Sequence, residues 1–124
     1  MDALSKLRTT LKPLEDAHNV KLSYMPFLLK AAFLALRSFP ILNASVSACQ
    51  TQVVMFAAHN ISVAIDTPHG LLVPNVKNVQ DKTIVDIAVE LTRLQKLAQE
   101  NRLSLEDITG GTFSYVQSMR IKYI

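Results

Sequence analysis

Tryptophan is absent, cysteine occurs once, glycine three times, and aromatic residues make up 6% of the 124 residues. A lone Cys49 closes no internal disulfide and points to a reducing compartment, so the fold must be held by its core. With few aromatics that core is aliphatic, built from Leu, Ile, Val and Ala. A hydrophobic content of 49% with 19% charged residues is that of one globular domain, well outside the disordered class.

Charge of one sign is also scarce. The net charge is +3 and no run of five like charges occurs, nor a basic stripe interleaved with aromatics. Phosphate-tracking proteins need such a stripe, so no nucleic-acid partner is expected. No apolar run spans a bilayer either: Met25 to Leu42 contains Pro26, Lys30, Arg37 and Pro40, which reads as a buried core helix and not a membrane segment. Met1 to Leu14 carries Lys6, Arg8 and Lys12, but Asp2 precedes them and Glu15 and Asp16 follow, so no presequence is expected.

The three histidines, His18, His59 and His69, lie far from one another and from Cys49, without metal-ligand spacing. His59 is expected at a strand boundary, hydrogen-bonded to backbone, and His69 in a solvated turn. The sequence "TGGTF" lacks the G-x-S-x-G pattern of a nucleophile elbow, and no Lys-Ser/Thr follows the glycine pair to make a phosphate cradle. The residues by themselves name no catalytic constellation.

What is there is a clear sequence of elements. Leu4, Leu7, Leu11 and Leu14 recur at helical spacing from Ala3 to about Ala17, with Pro13 expected to kink or end that helix. "LSYMPFLLKAAFLALRSFP" reads as a helix apolar almost all round, with Ser23 as a possible cap, Pro26 near the first turn and Pro40 as the stop; a sheet on one side and another subunit on the other would cover it. Gln52 to Ala58 and Asn60 to Asp66 read as strands, "TPHG" as a turn and "LLVPNV" as a third extended piece, with Pro74 at an edge or leaving the sheet. "TIVDIAVELTRLQKLAQEN" predicts a helix capped by Thr83 and Asp86, and a Gly-Gly entry leads into a strand at Thr112 and Phe113. The order ααβββαβ implies a two-layer α/β arrangement.

Four segments, "KLSYMPFLLKAA", "FPILNASV", "HNISVAIDTPHGLLVPNVKNVQ" and "LTRLQKLAQENRLSLEDITGGTF", resemble in order the catalytic domain of the dihydrolipoamide acyltransferases of the 2-oxoacid dehydrogenase complexes, from Leu4 to Phe113. The "FPILNAS" and "HNI…VPN…KNVQ" blocks are similar to the branched-chain members. The resemblance implies a two-layer α/β fold like that of chloramphenicol acetyltransferase, here incomplete, comprising the N-terminal and middle part of the catalytic domain. It also implies assembly with other acyltransferase subunits as trimers that build a cage, and a mitochondrial matrix location. The implied reaction moves a branched acyl group between dihydrolipoamide and coenzyme A, with coenzyme A as substrate and the lipoyl group carried on a separate lipoyl domain not present in this chain. A histidine serves as general base and a serine hydroxyl stabilises the oxyanion.

Carried over residue by residue, the serine position falls on Val116, which offers no donor, and the histidine motif lies beyond Ile124. Coenzyme A contacts fall on Arg8, Ser23, Asp66 and Gln95: an arginine for phosphate, the others for ribose, adenine or pantetheine polar groups. Each also has an ordinary reading, Arg8 and Gln95 as solvated helix residues, Ser23 as a helix cap and Asp66 as a turn starter. Residues 1–113 are thus expected to form a partial acyltransferase domain and 114–124 a divergent tail. Two functions follow: a fragment of a branched-chain acyltransferase, inactive alone, or a catalytically silent interaction protein docking on full-length subunits through the Met25–Leu36 helix. A chain of this kind has little stability to spare and is expected to be marginal alone.

Overall fold

Pro13 divides the first helical segment as its missing N–H predicts. In the computed structural model, which describes residues 2–116, α1 (Asp2–Leu11) ends before it and α2 (Pro13–His18) starts on it. The long apolar segment forms α3 (Met25–Ser38), with Pro26 in its first turn. Ser23 does not cap it. Tyr24 holds the cap position in helical backbone geometry without a side-chain cap bond, and Pro26 has already removed one N–H that a cap would serve.

The β region is three small sheets, where one compact unit was expected. An unanticipated strand, β1 (Ala44–Val46), pairs antiparallel with β2 (Val53–Met55), which is shorter than the expected Gln52–Ala58 strand. The expected Asn60–Asp66 strand divides at Ala64 into β3 (Ile61–Val63) and β4 (Ile65–Thr67), which belong to different sheets. β4 forms a hairpin with β5 (Gly70–Leu72), turned by Gly70 at φ 107°, a conformation open to glycine. Pro74 sits between β5 and β6 (Asn75–Val76), where the chain leaves one sheet and becomes the edge of the next. β3 is central there, antiparallel to β6 and parallel to β7 (Phe113–Tyr115).

Thr83 and Asp86 form the expected capping box at the start of α4 (Ile84–Gln99), and Ser104 and Asp107 form a second one on the short α5 (Leu105–Ile108). Two layers result. Met25, Leu29 and Phe33 of α3 and Ile87, Leu91 and Leu94 of α4 meet Ile61, Val63, Val76 and Val79. Each such side chain contributes about 1.5–3 kcal/mol on burial. Among the described residues no helix is long and apolar enough to cross a membrane.

The face of β3 away from the helices is polar and tight. Ser62 and its cross-strand partner Asn75 are both buried, and a Cβ placed on Gly111 would collide with the Ser62 hydroxyl. Gly111→Ala should therefore lower unfolding free energy by about 1–3 kcal/mol in urea denaturation, as overpacking does. The double variant Gly111→Ala/Ser62→Ala should recover most of the loss; no recovery would show that the hydroxyl is not the obstacle.

Candidate functional site

Three pieces of two of the sequence blocks singled out above meet at one end of the β6–β3–β7 sheet, held by side-chain to backbone bonds. Asn60 is the hinge. Its Nδ2 donates to Gly110 O at 2.9 Å, its Oδ1 accepts from Asn78 N at 2.9 Å, and its N–H donates to Thr112 Oγ1 at 3.0 Å. Asn75 Nδ2 and Lys77 Nζ both donate to Thr109 O, and Gln80 Oε1 accepts from His59 N at 2.9 Å. The "HN", "VPNVKNVQ" and "TGGT" pieces thereby form one polar network that fixes where β7 starts. These residues had only the family resemblance to mark them, because their partners are distant in sequence.

Asp107 anchors the helix that delivers this loop. It caps α5 through Ser104 and takes Arg93 Nη2 at 2.7 Å, while Arg93 also grips Glu90 at 2.7 Å. The Arg93 guanidinium holds the Asp107 carboxyl below the usual carboxylate range, against the effect of burial, and Ser104 adds to the lowering.

None of the histidines is arranged as a general base. His18 Nδ1 lies 3.1 Å from Leu14 O, and His69 is exposed in the β4–β5 turn. His59 corrects an expectation. Its ring is not hydrogen-bonded to backbone: Nδ1 is buried without a partner among the described residues, and the ring meets Phe33 edge-on at a centroid separation of 5.1 Å. The backbone around it is satisfied instead, through Gln80 and through Val79 N donating to His59 O. Packing against Phe33 outweighed a ring hydrogen bond at this boundary.

The four residues assigned to coenzyme A fall into two pairs. Arg8 Nε donates to Leu22 O at 2.6 Å and its guanidinium lies 5.2 Å from the centre of the Tyr24 ring, beside half-buried Ser23. A recess of about 150 Å³ next to it is lined by Ser5, Arg8, Thr9, Lys12 and Glu15. The second pair is Asp66, exposed on β4, and Gln95, half-buried on α4. Gln99, one turn beyond Gln95, donates to Asp66 O at 3.3 Å and ties the two elements. Val116 follows β7 directly and is 72% exposed. Among the described residues no cluster of His, Cys, Asp and Glu could hold a metal ion.

Cys49, marked in the sequence only as unpaired, has a polar setting that the sequence did not show. Cys49, exposed between β1 and β2, lies 3.3 Å from Ser47 Oγ and 2.8 Å from Thr51 Oγ1. Hydrogen bonding from Ser47 and then Thr51 lowers its thiol to about 7.

A family model for the 2-oxoacid dehydrogenases acyltransferase (catalytic domain) matches residues 1–117. The chain is 56% identical over 111 residues to the mitochondrial lipoamide acyltransferase component of the branched-chain alpha-keto acid dehydrogenase complex of Bos taurus, covering 90% of this chain and 23% of that protein. It therefore spans about a quarter of the length of that relative. The cubic core of the pyruvate dehydrogenase multienzyme complex superposes with a TM-score of 0.88 at 31% identity, over 92% of this chain and 47% of the other. The dihydrolipoamide acetyltransferase of Azotobacter vinelandii gives 0.87 at 31% identity with the same coverages. The incomplete two-layer α/β fold is thus the fold of these catalytic domains.

Two titrations check the electrostatics. Alkylation of Cys49 by iodoacetamide should rise with a midpoint near pH 7, and Ser47→Ala/Thr51→Ala should move that midpoint upward. Because the Asp107 carboxyl is lowered on folding, its stabilisation is complete above the ordinary carboxylate value of about 4 and is lost as pH falls through its folded value. Asp107→Asn should lower stability at neutral pH and flatten the acid limb of the stability profile. An unchanged limb would remove Asp107 as its cause.

Proposed function

Because the chain belongs to the 2-oxoacid dehydrogenase acyltransferase family, whose catalytic-domain model it matches over residues 1–117, we propose that it is part of an acyltransferase passing branched acyl groups between dihydrolipoamide and coenzyme A. The observation that carries the branched-chain assignment is the 56% identity to the bovine lipoamide acyltransferase component. On this reading the chain acts in the mitochondrial matrix, alongside other acyltransferase subunits and a lipoyl domain.

In this role the chain supplies the coenzyme A side of the site. Arg8, its plane set by Leu22 O and Tyr24, faces a phosphate with Lys12 nearby; Ser23, Asp66 and Gln95 take polar groups of the ribose, adenine or pantetheine. Acyl transfer needs a base to strip the attacking thiol and a donor for the oxyanion. Val116 stands where the donor belongs, and His18, His59 and His69 are all otherwise disposed, so on this reading the base and the donor come from other sequence. On this reading residues 1–113 are the acyltransferase portion and the sequence diverges in 114–124, while β7 still pairs with β3 through Tyr115 and the family model extends to residue 117.

A second reading is a silent interaction protein docking on full-length subunits through α3. It is favoured by Leu34, 51% exposed on a helix whose other large apolar side chains are mostly buried.

Calorimetric titration with coenzyme A tests the first reading. Arg8→Gln should weaken binding at least about tenfold, the cost of a charge-assisted contact, and Gln95→Ala should weaken it less. The chain alone should show no turnover of isovaleryl-coenzyme A with dihydrolipoamide. Coenzyme A binding that ignores both substitutions would refute the assigned contacts. Co-purification with full-length subunits and no coenzyme A binding would favour the docking reading.

A further inference from the structure

Leu22 is buried between α2 and α3, and both polar groups of its backbone are taken by side chains of opposite charge from two different helices. Its carbonyl accepts from Arg8 Nε of α1 at 2.6 Å, and its N–H donates to Glu15 Oε1 of α2 at 2.9 Å. Glu15 also closes the turn with its own carbonyl, which accepts from Asn19 N, where the backbone is left-handed at φ 51°, and from Val20 N at 3.1 Å. Arg8 and Glu15 are both half-buried and both line the recess described above, yet among the described residues no ion pair joins them. Glu15 therefore acts on Arg8 through the backbone of Leu22 and not by direct contact.

We propose that Glu15 is a positioning residue for Arg8, setting the guanidinium for a phosphate of coenzyme A; the ligand rests on the coenzyme A reading given above. A long, flexible arginine binds a phosphate best when its plane is fixed before the ligand arrives. Leu22 O holds Arg8 Nε and the Tyr24 ring lies 5.2 Å from the guanidinium, which leaves the Nη groups, without a partner among the described residues, for an anion. That hold depends on where Leu22 O sits, and Glu15 is the side chain that anchors Leu22 from its other backbone group. The same carboxylate is a negative charge in the wall of an anion recess, beside Lys12. Its two effects on a phosphate have opposite signs: the acceptor oxygen helps, by fixing Arg8, and the charge hinders. Glutamine keeps the first and removes the second, whereas leucine removes both.

Two variants of the chain test it. In calorimetric titration Glu15→Gln should bind coenzyme A at least as tightly as the wild type, whereas Glu15→Leu, which keeps helix propensity, should raise the dissociation constant at least about fivefold. A role as charge alone would make both variants bind more tightly, and that result overturns the proposal. Equal weakening by both overturns it too, as does a Glu15→Leu effect that vanishes once the unfolded fraction, measured by urea denaturation, is allowed for. The Nε–H signal of Arg8 in proton–nitrogen NMR gives a readout without ligand. It should exchange slowly with water in the wild type and in Glu15→Gln, and at least about tenfold faster in Glu15→Leu; equal exchange in all three overturns the proposal. If none of the three binds coenzyme A while the exchange rates separate as expected, the coenzyme A reading fails and the positioning of Arg8 by Glu15 stands.

Discussion

Everything else in the molecule hangs on the burial of β3. Its three residues are enclosed on both faces: Ile61 and Val63 under α3 and α4, Ser62 against Asn75 and Gly111. A strand this short has few hydrogen bonds of its own to offer, so side-chain packing must fix it. The helices stay on the sheet because their apolar rows, Met25–Leu29–Phe33 and Ile87–Leu91–Leu94, join Ile61, Val63, Val76 and Val79 in one core. The polar network around Asn60 is then built at its end, bringing Asn78, Gly110 and Thr112 into register with a position already fixed by the core.

The helices were legible in the sequence because their signals are local. Pro13 and Pro40 mark boundaries, Thr83 and Asp86 announce a start, and the apolar row of α4 is buried from Ile87 through Ala98. The strands were less so. Nothing in "NISVAID" shows that Ala64 lets the chain pass from one sheet to another, since that division is set by Pro74 and the β4–β5 turn further on. β1 was invisible because Ala44 and Ser45 are weak strand formers that pair here by virtue of β2 and of Asn43, whose buried amide donates to Phe56 O and Ala58 O.

The candidate site was legible to a different degree. Arg8 reaches the Leu22 carbonyl and the Tyr24 ring, which flank Ser23, because buried Leu22 lies between α2 and α3 and turns the chain back toward α1, an arrangement that spacing alone does not reveal. The environment of His59 depends on Phe33, far back in the chain, and that of Cys49 on the geometry of a hairpin loop. Residue types can be read along the chain, whereas their electrostatic surroundings exist after folding.

The parallel pairing of β3 with β7 has a kinetic side. Their contact region joins Asn60 to residues 52 positions later, across three intervening strands and two α-helices. Loop closure over that distance delays the pairing, so β6 and the helices can assemble on β3 while its other edge is still bare. The edge of β3 that β7 covers is thus closed by residues about fifty positions further along the chain, the kind of long-range pairing that slows folding.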